Sequence, residues 1–93
     1  MIESFACDET ERIFRGEVSL KFPIQIQNVA RRKLRMIDGA TSLTDLLIPS
    51  GNRLEKLKSD RAGQHSIRIN DQFRVCFTFT NNNAINVEIV DYH

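Results

Sequence analysis

The fold is decided by residues 66–79, which read SIRINDQFRVCFTF. Apolar side chains alternate along this stretch with polar or small ones, and this period of two is typical of β-strands with one buried face. The apolar residues on either side of the central polar loop must share that face. A two-residue loop would pair Ile67 with Arg74, whereas a three-residue loop at 70–72 pairs Ile67 with Val75. The stretch therefore predicts a β-hairpin with a three-residue loop.

This register sets Arg68 directly opposite Arg74 on the outer face of the sheet. Two like charges in this position cost on the order of a few tenths of a kcal/mol. A sheet that tolerates such a pair usually has an anion or a carboxylate close by. Two interpretations stay open from the register alone: a sheet face covered by ion pairs, or a surface that binds an anion.

A further strand follows the turn at 81–83, with its apolar residues at Ile85, Val87 and Ile89 on one face. Loops of three or of five residues around Asn82 both keep the apolar face intact. The three-residue loop sets Glu88 opposite Arg74, and the five-residue loop sets Val90 there. In both cases Tyr92 lies on the outer face together with the two arginines.

The first half of the chain predicts two helices. Asp8, with Glu11 three residues later, has the pattern of a capping box, and Gly16 suits the end of a short helix. A longer helix opens at 22–23, where proline fits the first turn, and ends at 38–39. Its apolar stripe consists of Ile26, Val29, Ala30, Leu34 and Ile37. Its other side carries Asn28, Arg31, Arg32 and Arg35, which form either a solvated face or a contact with an RNA backbone or an acidic partner.

Both helices have one apolar stripe and the sheet has one apolar face. These faces cover one another in a two-layer α+β domain, with the N-terminal helices packed on a small antiparallel sheet. With 93 residues and neither a repeat nor a linker, the sequence predicts one domain spanning residues 1–93.

Charge is concentrated in one part of the chain. The formal net charge is only +1, but residues 53–74 hold six basic and three acidic side chains, about +3 in all. A local positive patch on a nearly neutral chain suits one defined anionic site better than a general coat for nucleic acid.

Cys7 and Cys76 do not make a disulfide framework, and neither has a second metal ligand at a suitable spacing. The sequence has no apolar run long enough to span a bilayer and no visible signal peptide. We therefore expect a cytoplasmic protein with reduced thiols that does not bind membranes.

Three stretches resemble the HigB toxins, also called plasmid maintenance system killer proteins, of the RelE/ParE superfamily. They are GNRLEKLK at 51–58, DRAGQHSIRINDQFRVCF at 60–77 and VEIVDYH at 87–93. Segments 2–5 and 38–41 fit as well, so the resemblance covers essentially the whole chain. The chain is also similar to the GraT branch of that family, whose members share the GNRLE start of the first stretch.

This resemblance implies a RelE-like fold, with two N-terminal helices on a small, curved, mainly antiparallel sheet. It implies a type II toxin that cleaves mRNA on the translating 70S ribosome. It also implies a HigA-type helix-turn-helix antitoxin that binds the toxin. The toxin is expected to reach operator DNA only through this antitoxin.

The resemblance further implies which residues form the site. The RNA-binding cations are expected at Arg53, Lys56, Lys58, Arg61, Arg68 and Arg74. The catalytic residues are expected at Lys58, Arg74, Asp91, Tyr92 and His93. Tyr92 or His93 would act as acid or base while Asp91 orients its neighbour, and the arginine fork suits a phosphate. No cluster with metal-ligand spacing is present in the sequence, so we expect neither a metal nor another cofactor.

Glu55 departs from the family pattern, because some HigB proteins have a histidine there. Beside Lys56 and Lys58, we expect this carboxylate to stay ionised and to pair with a lysine, which favours a weak or conditional nuclease. His65 shares a face with Ile67, so a partly buried structural role is expected for it. The rival function is a toxin without catalysis that occupies a protein partner, as ParE-type relatives do with gyrase, or that acts on ribosome assembly.

Overall fold

The computed structural model describes residues 1–92. Two helices come first, α1 at Asp8–Phe14 and α2 at Ile24–Gly39. Four strands follow: β1 at Glu55–Lys56, β2 at His65–Arg68, β3 at Phe73–Thr80 and β4 at Asn83–Asp91. The strands form one antiparallel sheet in the order β1-β2-β3-β4. Neither helix is long and apolar enough to cross a membrane.

The core lies between α2 and the inner face of the sheet. Ala30, Leu34 and Ile37 of the predicted stripe are completely buried, and Ile26 is nearly so. They join the inner residues of the hairpin in one cluster, among them Ile67, Val75 and Phe77. The predicted two-layer α+β architecture is confirmed, because each apolar stripe covers the apolar face of the other layer.

The capping box predicted for α1 is wrong. Asp8 is the first helical residue, Cys7 takes the cap position, and no side chain caps the helix. The Glu11 carboxylate instead accepts a hydrogen bond from Arg15 Nη2 at 2.6 Å. The predicted end is correct, since Gly16 follows the helix with a positive φ of 90°.

Arg31 links the two helices. Its Nε donates to the Ile13 carbonyl oxygen at 2.8 Å and its Nη2 donates to the Glu17 carbonyl oxygen at 3.3 Å. Because the last carbonyls of a helix lack partners within it, Arg31 completes the end of α1. This residue therefore has a structural task, whereas Arg32 and Arg35 of the same cluster are exposed.

The β2–β3 hairpin has the predicted register. Ile67 pairs with Val75, and Arg68 pairs with Arg74. The Asn70 side chain closes the loop, since its Oδ1 accepts hydrogen bonds from the backbone N–H groups of Gln72 at 2.9 Å and Phe73 at 2.8 Å. Asparagine commonly stabilises turns in this way.

The β3–β4 hairpin has neither of the predicted loops. Asn81 and Asn82 form a two-residue turn, with φ values of 50° and 65°. Such turns need positive φ at both positions, which asparagine tolerates. A two-residue turn alone would reverse the faces, but a bulge at Asn86 (φ 54°) restores them. As a result Val90 lies opposite Arg74, the outcome expected for the longer loop.

Because of this bulge, one residue predicted to lie in the core does not lie there. Ile85 pairs with Thr78 and is only half-buried, so its assignment to the inner face is wrong. Ala84 takes the inner position instead and is fully buried. On the far side of β4, Ile2 and Phe5 form parallel bridges to it. The sheet is therefore mainly antiparallel, as expected.

Candidate active site

The outer face of the sheet carries two cross-strand rows. One row consists of Glu55, Ser66, Cys76 and Glu88. The other row consists of Arg68, Arg74 and Val90. Ser66 and Cys76 are small and fully buried, so they form a floor beneath longer polar side chains.

Two depressions lie side by side on this face. The first, of about 340 Å³, is lined by Arg53, Glu55, Arg68, Asn70, Asp71, Arg74 and Tyr92. The second, of about 490 Å³, is lined by Glu55, Lys56, Leu57, Lys58 and Tyr92. Glu55 and Tyr92 belong to both, so a carboxylate and a phenol stand between two groups of cations.

Arg74 is held at two of its three guanidinium nitrogens. Nε donates to Ser66 Oγ at 2.7 Å, and Nη2 donates to the Arg53 carbonyl oxygen at 2.6 Å. The centre of the guanidinium lies 5.9 Å from the Tyr92 ring centroid, a cation–π distance. Nη1 has no hydrogen-bond partner among residues 1–92, and Arg74 lines the first depression.

Arg68 shows why two arginines can face one another. It forms an ion pair with Asp71, a residue of the hairpin loop. Arg74 has no carboxylate partner in the described part of the chain. The ion-pair interpretation is therefore confirmed for Arg68, whose partner is a loop carboxylate. The anion-binding interpretation stays a prediction for Arg74.

Arg61 differs from the other predicted cations. It forms an ion pair with Glu88 at 2.9 Å and donates to Gln64 Oε1 at 2.9 Å. It lines neither depression. These contacts tie the loop that carries Lys58 to the middle of the sheet. The other five predicted RNA-binding residues, Arg53, Lys56, Lys58, Arg68 and Arg74, all line one depression or the other.

The predicted pairing of Glu55 with a neighbouring lysine is wrong. Glu55 forms no ion pair with Lys56 or Lys58 in the described part of the chain, although all three residues line the second depression. Within residues 1–92, no basic group lies within 4 Å of the Glu55 carboxylate, and the side chain is exposed. Glu55 is thus an accessible carboxylate beside Tyr92 rather than half of an ion pair.

The C-terminal end is held by Gln72. Its carbonyl oxygen accepts a hydrogen bond from the Tyr92 backbone N–H at 2.5 Å, and its Nε2 donates to Asp91 Oδ2 at 3.1 Å. Asp91 pairs with Phe73, so strand alternation puts its side chain on the face opposite to Tyr92. His93, the third predicted residue of this group, lies outside the described residues.

The sequence comparisons decide the family. The profile described as "RelE-like toxin of type II toxin-antitoxin system HigB" matches residues 3–93. The chain belongs to the HigB-like toxin family. Toxin HigB-1 of Vibrio cholerae is 42% identical over 64 residues, which are 69% of this chain and 67% of that one. Endoribonuclease HigB of Proteus vulgaris is 33% identical over 97 residues and is covered completely, as is this chain.

The fold of this HigB-like toxin is shared with solved structures. One is a chain of the heterotetrameric YoeB-YefM toxin-antitoxin complex from Staphylococcus aureus, with a TM-score of 0.61 and 22% identity. The match covers 100% of this chain and 98% of that chain. The expected RelE-like α+β fold and the expected HigB family are both confirmed.

Two other reactive side chains of the HigB-like toxin lie near the site. His65 is half-buried and stacks on Phe77, with ring centroids 6.4 Å apart. Burial, together with the nearby Lys56, lowers the pKa of His65. Burial also raises the pKa of the Cys76 thiol, which therefore stays protonated at neutral pH. These surroundings favour structural roles for both residues.

The HigB-like toxin also has a buried polar pair that sequence reasoning missed. Lys33 Nζ donates to Asn52 Oδ1 at 2.6 Å, and both residues are buried. Burial lowers the pKa of Lys33, and the charges of Arg32 and Arg68 act in the same direction. One sequence signal existed: Lys33 lies three residues after Ala30, within the apolar stripe of α2.

Proposed function

We propose that the protein is an endoribonuclease toxin of a type II toxin-antitoxin system that cleaves mRNA on the translating ribosome. Its family and its likeness to Endoribonuclease HigB of Proteus vulgaris support the activity. One observation about the site carries the proposal. A guanidinium with a free nitrogen, a phenol and an unpaired carboxylate, contributed by Arg74, Tyr92 and Glu55, line a single depression.

The chemistry that suits these groups is attack of a ribose 2′-OH on its own phosphate. Glu55 accepts the 2′-OH proton, the 2′-oxygen forms a bond to phosphorus, and the bond from phosphorus to the 5′-oxygen breaks. Tyr92, or His93 beside it, donates a proton to the departing 5′-oxygen. The products are a 2′,3′-cyclic phosphate and a free 5′-hydroxyl.

Positive charge has two tasks in this proposal. Arg74 Nη1 donates to a phosphate oxygen as negative charge builds on it, and its neighbour Arg68 contributes to the field. Lys56 and Lys58 line the second depression, where they bind the RNA backbone on the other side of Tyr92. Arg53 lines the first depression and binds the adjoining phosphate.

Ribosome dependence is tested with purified toxin and a defined mRNA. We expect cleavage when the mRNA is bound to 70S ribosomes and little cleavage of the naked mRNA, because a protein of net charge +1 holds free RNA weakly. Primer extension on the products measures both rates. Uncut message on the ribosome would contradict the proposal. Toxicity that survives the combined changes Tyr92→Phe and His93→Ala would favour a toxin that only occupies a partner.

Glu55→Gln is expected to reduce kcat on ribosome-bound mRNA by roughly 100-fold, since a lost general base typically costs this much or more. Glutamine keeps the size of the side chain but is unable to accept the proton. Glu55→His restores a base and is expected to recover part of the rate with a changed pH profile.

The matched control for the glutamate change is Glu3→Gln, which neutralises an exposed carboxylate that lines neither depression. Its kcat is expected to equal that of the unmodified protein. Equal rates for Glu55→Gln and Glu3→Gln would remove Glu55 from the mechanism and leave the proton transfer to the C-terminal residues.

The proposed partners follow from the family. A type II toxin needs an antitoxin, and we infer a HigA-type helix-turn-helix protein that also carries the contact with operator DNA. The ribosome and its mRNA are the other partners, and both belong to the cytoplasm. Co-expression with the neighbouring helix-turn-helix reading frame should relieve growth inhibition, and the two proteins should co-purify.

A further inference from the structure

The orientation of Arg74 depends on a backbone carbonyl. Nη2 of its guanidinium donates to the carbonyl oxygen of Arg53, which belongs to a different part of the chain. Arg53 has φ 47° and ψ 55°, the left-handed region. Residues other than glycine rarely adopt this backbone conformation unless their surroundings enforce it. The chain must therefore contain something that holds the Arg53 backbone in place.

The Arg53 N–H donates to the Ser50 carbonyl oxygen at 3.1 Å, and the preceding residue, Asn52, anchors the same turn in the core. Asn52 is fully buried, and its backbone N–H donates to the Pro49 carbonyl oxygen at 3.0 Å. Its Nδ2 donates to the Leu46 carbonyl oxygen at 3.2 Å, while its Oδ1 accepts from Lys33 Nζ at 2.6 Å. Every polar group of the Asn52 side chain is thus engaged, which fixes the position of the next peptide.

Lys33 connects this anchor to the rigid part of the fold. It lies in the middle of α2, a helix of 16 residues whose other buried side chains pack on the sheet. Only 7% of Lys33 is exposed. Within residues 1–92, Asn52 is its one hydrogen-bond partner. Burying an ammonium group with a single neutral acceptor is unfavourable, and an apolar side chain of the same length would fill the space at less cost. Packing alone therefore gives no reason for a lysine.

We propose that Lys33 and Asn52 are positioning residues for Arg74, which act by fixing the Arg53 carbonyl that orients its guanidinium. This role rests on the proposed function, since it matters to activity only if Arg74 binds the reacting phosphate. Neither residue lines either depression of the site. A misplacement of Arg74 by about 1 Å is enough to affect a transition state strongly.

Lys33→Met tests this positioning role, because methionine fills a similar space without a hydrogen-bond donor. We expect kcat on ribosome-bound mRNA to fall by roughly 10- to 100-fold, the loss that a misplaced group causes. KM should change by less than about twofold, because an effect confined to the transition state leaves ground-state binding intact. Lys33→Gln, which keeps an N–H donor toward Asn52, should recover part of the rate.

The double variant Lys33→Met/Asn52→Ala shows whether the two residues act together on Arg74 or cause two independent defects. Residues that act as one unit are strongly non-additive. The double variant should therefore be no slower than the slower single variant. A product of the two single losses would contradict a shared task. Each rate is measured well below the melting temperature of that variant, so that unfolded protein does not enter the comparison.

A readout without RNA checks the geometry directly. The Arg74 Nε–H, which donates to Ser66 Oγ, should give a distinct and slowly exchanging NMR signal in protein labelled with ¹⁵N-arginine. Lys33→Met should shift this signal and speed its exchange with solvent, whereas Lys21→Met should leave it unchanged. Lys21 is a matched control because it lines neither depression of the site.

The two proposals fail in different ways. If the unmodified protein does not cut ribosome-bound mRNA, the proposed function fails, and the NMR comparison alone decides whether Lys33 orients Arg74. If the protein cuts and Lys33→Met changes neither kcat nor the Arg74 signal, the positioning role is overturned. A lower kcat with an unchanged Arg74 signal overturns it as well, because the loss would then have another origin.

Discussion

Arg74→Ala is expected to lower kcat on ribosome-bound mRNA by roughly 10²- to 10³-fold, the usual effect of removing one donor that stabilises transition-state charge. Arg74 is the group best prepared for that task. Two of its nitrogens are fixed by Ser66 Oγ and the Arg53 carbonyl oxygen, so its third nitrogen is oriented before RNA arrives. No reorganisation is then needed at the moment of reaction.

Arg74→Lys separates charge from geometry. A lysine keeps the positive charge but is unable to hold Ser66 and Arg53 while also contacting a phosphate, because it lacks the planar fork. We expect most of the activity to be lost in this variant too. Arg15→Ala is the matched control, since Arg15 pairs with Glu11 on α1 and lines neither depression. Initial rates of mRNA cleavage measure all three. Near-normal activity of Arg74→Lys would mean that charge alone suffices.

Phe77→Ala is expected to lower the free energy of unfolding by about 3–5 kcal/mol, the range found when a buried phenylalanine is truncated. Phe77 is the largest side chain that is completely buried. Its ring lies 6.4 Å from that of His65 and 6.5 Å from that of Phe79. The cavity left by the truncation would lie within the buried core cluster, beside His65 and Phe79.

Urea denaturation followed by circular dichroism measures this loss, and Thr80→Ala serves as the control on the same strand. Thr80 is exposed, so its truncation should change the free energy of unfolding by no more than about 0.5 kcal/mol. The total free energy of unfolding of a small domain is about 5–15 kcal/mol. Phe77→Ala should therefore be near its threshold of folding at ordinary temperature. A loss under 1 kcal/mol would show that the core repacks around the vacancy.

The hairpin at 66–79 was predictable in detail because two constraints agreed. Its apolar residues had to share one face, and only an odd number of loop residues allowed this. The register of Arg68 and Arg74 followed without further information. The second hairpin lacked such a constraint, since its asparagines suit several turns. A two-residue turn with a compensating bulge at Asn86 satisfied the same apolar pattern and moved Ile85 to the outer face.

The candidate site was likewise predictable in one part and not in another. Period-two alternation was enough to bring Arg68, Arg74 and Tyr92 onto one surface, because strand geometry fixes which side chains share a face. The state of each charged group depended on neighbours distant in sequence. Glu88 forms an ion pair with Arg61 and Asp71 forms one with Arg68, whereas no lysine pairs with Glu55 within residues 1–92.

The amino-acid pattern was thus sufficient for the fold class, the first hairpin and the face that carries the cations, since these depend on local periodicity and on burial of one face. Which partners hold each cation was settled by tertiary contacts. The contact between Lys33 and Asn52 joins residues 19 positions apart, and the one between Arg74 and the Arg53 carbonyl joins residues 21 positions apart. Hydrogen bonds of this kind depend on distances of a few tenths of an ångström, which only the packed chain defines.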